Sequence, residues 1–247
     1  MQRSSLARLA VLLVAAIAMG ACGSAKPDLT DPAQIVTKSV ESLQQAKSVH
    51  FEATIEGTVV GDLMGTGQGG QISLVGTTLR GDVDATGKNV HVSAAVPALL
   101  GLTADIVVIG PDTWTRISVL GPKYKKSATT ATAGPADPAA VIDTLKEWLA
   151  KPEVSPTKKD DATCGSKKCY QIEIDLSASD LQSLVAGQDL GDASAALTIL
   201  VEKDTLHPAV ATVHVTGAKV GDLTFTLTLS DWDKPVSITA PAADQVE

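Results

Sequence analysis

The sequence predicts an α+β fold: a long, curved antiparallel sheet with helices gathered on one face. Three observations carry this. Apolar and polar residues alternate with period 2 over many stretches of the 247-residue chain, the signature of strands with one wet face. Two Asp-Pro pairs, Asp31-Pro32 and Asp137-Pro138, each open a run of period near 3.6, because Asp caps a helix start and Pro fits its first position. The last third holds three successive alternating segments with short connections, which is how an antiparallel meander reads.

The first helix runs from 32 to about 47 with Ile35, Val36, Val40 and Leu43 on its apolar stripe. At Val49 the period switches to 2: Val49, Phe51, Ala53, Ile55, Gly57 and Val59 alternate with His50, Glu52, Thr54, Glu56 and Thr58, a long strand. Strands are expected near 67–75 and 79–85, and another where Val90, Val92 and Ala94 alternate with His91 and Ser93. The apolar segment 95–102 has no clean period and fits a bulge, a short lid or a cavity rim. Residues 105–109 and 114–119 flank Gly110-Pro111-Asp112 as a hairpin. After a loop rich in Ala, Thr, Gly and Pro, the second helix carries Val141, Ile142, Leu145, Trp148 and Leu149 on its stripe, and the two helices are expected to share one face of the sheet. Tyr170, Ile172, Ile174 and Leu176 mark a strand, Ser179 is read as the cap of a short helix with Leu181, Leu184 and Val185, and strands follow at 195–201, 209–215 and 223–229.

The N-terminus is an export signal. Arg3 and Arg8 precede an apolar run from 9 to 19, and the small residues Gly20 and Ala21 stand before Cys22. A cysteine in that place can take a diacylglycerol by thioether linkage, and cleavage before it frees an amine for a further acyl chain such as palmitate. Met19 stands where leucine is usual and matches it in size and polarity. The run is too short to span a bilayer, which needs about 20 apolar residues. The organisation that follows is a lipoprotein signal peptide at 1–21, a polar tether at 22–31 and a single domain at 32–247, lipid-anchored on the extracytoplasmic face of the cell membrane.

The formal net charge is −8, and loss of the two signal arginines leaves about −10, which does not suit nucleic acid as a partner. Aromatic residues make up only 3 %, and a core of small aliphatics leaves room inside. Cys164 and Cys169, four residues apart around a glycine in an exported chain, read as a disulfide; the spacing is not C-x-x-C and no second pair or nearby histidine completes a zinc site.

Catalytic chemistry is hard to find. HExxH, GxSxG, Walker-type and GxGxxG patterns are missing, the carboxylates are dispersed on turns, and no metal or cofactor is expected. His50, His91 and His214 lie on polar strand registers, where exposure is expected, and His207 sits in a turn before Pro208. Asp231-Trp232-Asp233 offers two carboxylates to a cation but reads better as a turn with Trp232 packed on the sheet edge. Lys123, Lys125, Lys126, Lys158, Lys159, Lys167 and Lys168 could meet anionic head groups or simply be solvated.

Taken together, several segments resemble one family. They are the lipidation site at Cys22, the Asp-Pro helix leading into Ser48-Val49-His50-Phe51, the Val-Ile-Gly-Pro-Asp-Thr-Trp hairpin ending at Trp114, the strand 170–176 leading into 177–184, and the ending Leu227 to Pro241 with its Asp-Trp-Asp-Lys-Pro. They look like the mycobacterial LppX and LprAFG lipoproteins. The resemblance implies a half-barrel of antiparallel strands with helices over its concave face, similar to the LolA and LolB carriers, enclosing an apolar cavity for acyl chains. It implies a non-enzymatic carrier of glycolipid or other multi-acyl lipid from the inner membrane towards the outer envelope, monomeric, with an envelope transport protein as a possible partner. Only Cys22 carries over residue for residue. The cavity-lining expectation is Val92, Val96, Leu99, Leu100, Leu102, Ile106, Val108, Val141, Leu145, Leu181, Leu184 and Val185. The alternatives are a structural or signalling lipoprotein with a solid core that binds a protein partner, and a hydrolase assembled from distant carboxylates.

Overall fold

A computed structural model describes residues 28–61, 70–86, 88–128, 143, 146–151, 154–184 and 191–247. Helix α1 spans Pro32–Gln45, with Asp31 as its cap: the carboxylate accepts from the backbone N–H of Ala33 at 3.0 Å, and Pro32 opens the helix. The strands are β1 Ser48–Gly61, β2 Gly70–Ser73, β3 Thr77–Asp84, β4 Asn89–Val96, β5 Leu102–Ile109, β6 Asp112–Ile117 and β7 Lys125–Ala128 in the first half. The second half contributes β8 Thr157–Lys158, β9 Ala162–Cys164, β10 Lys167–Leu176, helix α2 Ala178–Leu184, β11 Ser194–Glu202, β12 Pro208–Gly217 and β13 Gly221–Ser230.

Among the described residues these strands form one antiparallel sheet in the order β7-β6-β5-β4-β3-β1-β13-β12-β11-β10-β8, with β2 paired to β1 and β9 to β10. The two ends of that order do not meet, so the sheet is open. The halves are joined where β1 pairs with β13 over ten residues, from His50 opposite Ser230 to Val59 opposite Gly221. At the second end of this seam the strands approach closely: a Cβ on Gly57 or on Gly221 would lie 2.1 or 2.2 Å from the facing carbonyl oxygen, and both glycines have positive φ.

Directly opposed residues in an antiparallel ladder share a face, so the registers trace one face across the whole sheet. One row reads Ile117, Ala104, Ala94, Leu79, Ala53, Leu227, Ala211, Ile199, Ile172 from β6 to β10. The next row includes Ile55, Phe225, Val213, Leu197 and Ile174. Both helices lie on this face over β10–β12, where Ile35, Val36, Trp148 and Leu181 pack on Tyr170, Ile172, Ile174, Ala195 and Val201 as the main core. A smaller cluster of Val107, Trp114 and Tyr124 lies on the other face, with Ile238 and Val246 of the C-terminal tail packed against it. The tail is tied down there by Tyr124, whose N–H donates to the Gln245 carbonyl and whose carbonyl accepts from the Glu247 N–H.

Several local readings change. The cap of α2 is Ser177 rather than Ser179: its hydroxyl accepts from the Asp180 N–H at 3.3 Å while the Asp180 carboxylate accepts from the Ser177 N–H at 2.9 Å, a reciprocal box. Of the strand expected near 67–75, β2 covers Gly70–Ser73, residues 67–69 lie outside the described residues, and 74–76 break the run before β3. The segment 95–102, expected as a bulge, a short lid or a cavity rim, ends β4, makes a tight turn at 97–101 in which the Gly101 N–H donates to the Pro97 carbonyl, and begins β5. The signal peptide, Cys22 and the start of the second helix at Asp137-Pro138 lie outside the described residues; residues 146–149 are helical. No described helix is long and apolar enough to cross a membrane.

Candidate functional site

The helix-bearing face of the sheet is apolar from β4 and β5 to β10 among the described residues. The helices bury it at Ile172, Ile174 and Leu176 of β10 and at Ala195 and Val201 of β11, whereas from Leu197, Ile199 and Val213 through β13, β1, β3, β4 and β5 its large apolar side chains, including Phe51, Leu79, Val92, Ile106, Phe225 and Leu229, are half-buried. Ala53 is the exception, buried between its neighbours. Small and large residues mix along the surface, with Ala94, Ala104 and Gly81 beside Phe51 and Ile106. Gly81 is required, because a Cβ there would meet the His91 carbonyl oxygen at 2.0 Å and the Phe51 ring at 2.9 Å.

Of the expected cavity residues, Val92, Val96, Leu102, Ile106 and Val108 stand on this face, on β4 and β5. Leu181, on α2, is buried in the main core between helix and sheet. Leu99 and Leu100 belong to the turn after β4, and Leu100 is 98 % exposed, so among the described residues it lines nothing. Val141, Leu145 and Val185, and the side chain of Leu184, lie outside the described residues. Two concavities among the described residues have polar linings. One of about 770 Å³ is bordered by Thr30, Lys158, Lys159, Asp160, Gln171 and Glu173, and one of about 320 Å³ by Ser155, Thr157, Lys159, Glu173 and Asp175, both at the β8–β10 edge.

The opposite face is polar and cross-linked. His50 Nδ1 lies 2.9 Å from Asp82, His91 Nε2 2.8 Å from Asp105, and His214 Nε2 2.9 Å from Asp222, each pair joining neighbouring strands. The histidines expected to be simply solvated are therefore strand clamps. Asp105 is the hub: besides His91 it takes Arg116 at 3.2 Å and the Tyr124 hydroxyl, and its side chain is only 16 % exposed. Burial first, then donation to Asp105 and its negative charge, push the Tyr124 hydroxyl above the ordinary tyrosine pKa, while Arg116 pulls the other way. Arg116 also stacks over the Tyr124 ring at 4.6 Å. His207 stacks on Trp232 with centroids 4.5 Å apart, and burial lowers its pKa.

Most candidate lysines are engaged with acids: Lys125 with Glu247, Lys126 with Asp112, Lys158 with Asp161, Lys159 with Glu173 and Lys167 with the buried Glu202. The Asp-Trp-Asp carboxylates are similarly occupied, Asp231 by Lys234 Nζ at 2.7 Å and Asp233 by the Lys47 N–H at 2.7 Å. Among the described residues no group of three His, Cys, Asp or Glu side chains is placed to hold a metal. Cys164 and Cys169 form a disulfide with Cα atoms 6.0 Å apart across the β9–β10 turn. Near it, Tyr170 holds the incoming chain: its hydroxyl accepts from the Leu29 N–H at 2.9 Å, and Lys203 bridges Asp28 and Asp161 beside the ring.

No protein-family model matches the chain, and no curated protein matches it. Solved structures do. The Mycobacterium tuberculosis lipoprotein LppX superposes with a TM-score of 0.55 at 16 % identity, covering 85 % of this chain and 100 % of that one. The chain has the LppX fold. LprF from Mycobacterium bovis gives the same answer, at a TM-score of 0.57 and 15 % identity over 88 % of this chain and all of that one. The LppX-type fold agrees with the resemblance read from the residues, and it accounts for the open antiparallel sheet with few helices.

Proposed function

We propose that this chain is an LppX/LprAFG-type lipoprotein, anchored through acyl chains on Cys22 to the outer face of the cytoplasmic membrane, that carries acyl chains of envelope glycolipids or other multi-acyl lipids towards the outer envelope. The observation that carries the reading is the apolar face running unbroken across the sheet and left half-exposed from β13 to β5. A soluble domain rarely leaves an apolar surface of that extent without an occupant. Sheet curvature would turn this face into the concave side of a half-barrel, with an apolar cavity beneath the helices and the lipid head group at the mouth. Each methylene moved from water onto such a surface contributes about 0.8 kcal/mol, so three long chains are held without any polar catalytic group. The protein acts as a monomer and needs no cofactor, and an envelope transport protein would receive its cargo.

The test is native mass spectrometry with lipid extraction on the processed chain purified from a host with a lipid-rich envelope. Multi-acyl lipid at near-stoichiometric amounts is expected. An empty protein that also takes up no acyl chain from diacyl or triacyl glycolipid micelles would refute the reading.

A further inference from the structure

A clamp ties the incoming chain to the folded domain at Asp28 and Leu29. The Tyr170 hydroxyl accepts from the Leu29 N–H at 2.9 Å and donates to the Asp28 carboxylate at 3.4 Å, while Lys203 Nζ lies 3.3 Å from Asp28 and also pairs with Asp161. Leu29 packs against the main core, Tyr170 is 2 % exposed, and the Lys203 ammonium sits 4.8 Å from the centre of its ring. Three parts of the fold build this clamp: β10, the turn after β11, and the turn between β8 and β9.

Its place decides which surface stays near an anchor at Cys22. Only residues 23–27 separate Cys22 from Asp28, and six extended steps of about 3.6 Å span at most about 22 Å. A domain the length of residues 32–247 has a radius of gyration of about 17 Å, so it is roughly 44 Å across. A leash half that width holds the surface around the clamp close to the bilayer and leaves the far edge of the sheet away from it.

The surface around the clamp carries a closed basic loop. Tyr170 follows directly on Cys169, and the Cys164–Cys169 disulfide encloses Gly165, Ser166, Lys167 and Lys168. Lys168 stands two residues before Tyr170, about 7 Å along β10. The ladder with β11 stops at Cys169 opposite Glu202, with one further bond from the Lys203 N–H to the Lys168 carbonyl, so the loop projects beyond β11. Its only charged side chains are the two lysines, in a chain of net charge −8. Lys167 neutralises the buried Glu202. Lys168 is exposed, and no ion pair involves it among the described residues.

We propose that this disulfide-closed loop docks through Lys168 on the anionic phospholipid headgroups of the membrane that holds the Cys22 acyl chains, and so sets the orientation of the domain above the bilayer. A lysine beside an acidic bilayer surface gains about fivefold in partition, which is too little to bring a protein from solution. The tether removes that difficulty, because a loop kept within about 22 Å of the surface binds intramolecularly. A loop closed by a disulfide also has little freedom left to lose on docking. A protein partner fits less well, since interface hot spots are built from Trp, Tyr and Arg and residues 164–169 hold none of them. The proposal rests on the anchoring at Cys22, but it is measurable without lipid cargo.

The experiment uses the full-length processed, acylated protein in vesicles of phosphatidylglycerol or of phosphatidylcholine. Flotation reads the anchor, and lysine acetylation followed by mass spectrometry reads the exposure of each ammonium group. Lys123, exposed before β7 at the other edge of the sheet, is the internal control. Lys168 should be acetylated about fivefold more slowly on phosphatidylglycerol than on phosphatidylcholine, with Lys123 alike on both, and 1 M salt should remove the difference because it shortens the screening length to about 3 Å. A twelve-residue Gly/Ser insert after Lys26 should return Lys168 most of the way to its phosphatidylcholine rate, since effective concentration falls about fivefold when the tether triples in length. Floating protein in which Lys168 is slowed no more than Lys123, or in which the insert changes nothing, overturns this proposal alone. Protein that does not float overturns the anchoring and this proposal together.

Discussion

Ala94 sits on the half-exposed part of the apolar face, between Leu79 of β3 and Ala104 of β5, whereas Ser93, one residue earlier, points to the other side of the same strand. Replacing Ala94 by Trp places an indole where the carrier reading puts acyl chain. The ring displaces roughly four methylenes at about 0.8 kcal/mol each, close to 3 kcal/mol in all, or about two orders of magnitude in affinity. Folding should not suffer. Ala94 is half-exposed, and aromatic residues suit a pleated surface beside Leu79. Ser93→Trp is the matched control, of equal bulk on the polar face. The assay is equilibrium uptake of acyl chains from glycolipid micelles, read by native mass spectrometry, with thermal melting of both variants alongside. Ala94→Trp is expected to lose about a hundredfold in uptake at unchanged melting temperature, with Ser93→Trp close to the parent. Equal uptake by the parent and Ala94→Trp, or equal losses in the two variants, would show that this face does not hold the chains.

Asp105→Asn removes the charge that His91, Arg116 and Tyr124 share on the polar face, and should cost about 2–3 kcal/mol of unfolding free energy in urea melts, since a part-buried network is left half-satisfied. The raised pKa of Tyr124 gives alkaline stability a definite sign: the contribution is complete below the ordinary tyrosine value near 10 and is lost as pH rises through the higher folded value. Denaturation followed from pH 8 to 11.5 should therefore decline more steeply in the parent than in Tyr124→Phe. Reducing the Cys164–Cys169 bond opens a loop of sequence separation 5, which on chain entropy is worth about 2 kcal/mol, and melting with and without reductant should show a loss of that order. Asp180→Ala should fray α2, and acid titration of the parent should reproduce the loss below the ordinary aspartate range, because Ser177 holds the Asp180 carboxyl below it.

The sequence by itself determined what is local. Period 2 assigns each side chain of β1, β10 and β13 to a face, and a switch of period at Val49 ends α1 and begins β1. Asp31-Pro32 marks a helix start because the cap uses atoms two residues away. The cysteine pair of the β9–β10 turn is legible for the same reason. Tertiary structure decided everything that depends on which strand lies beside which. Residues 50 and 230 meet only because β13 returns to β1, and nothing in either segment names the other. His50, His91 and His214 look alike in sequence, as polar positions on strands; that each faces an aspartate follows from register alone, since a slip of one residue would turn the two side chains to opposite faces. Leu100 shows the same limit from the other side. An apolar run within a β region suggests burial, but a turn closed at residues 97–101 puts that side chain in water.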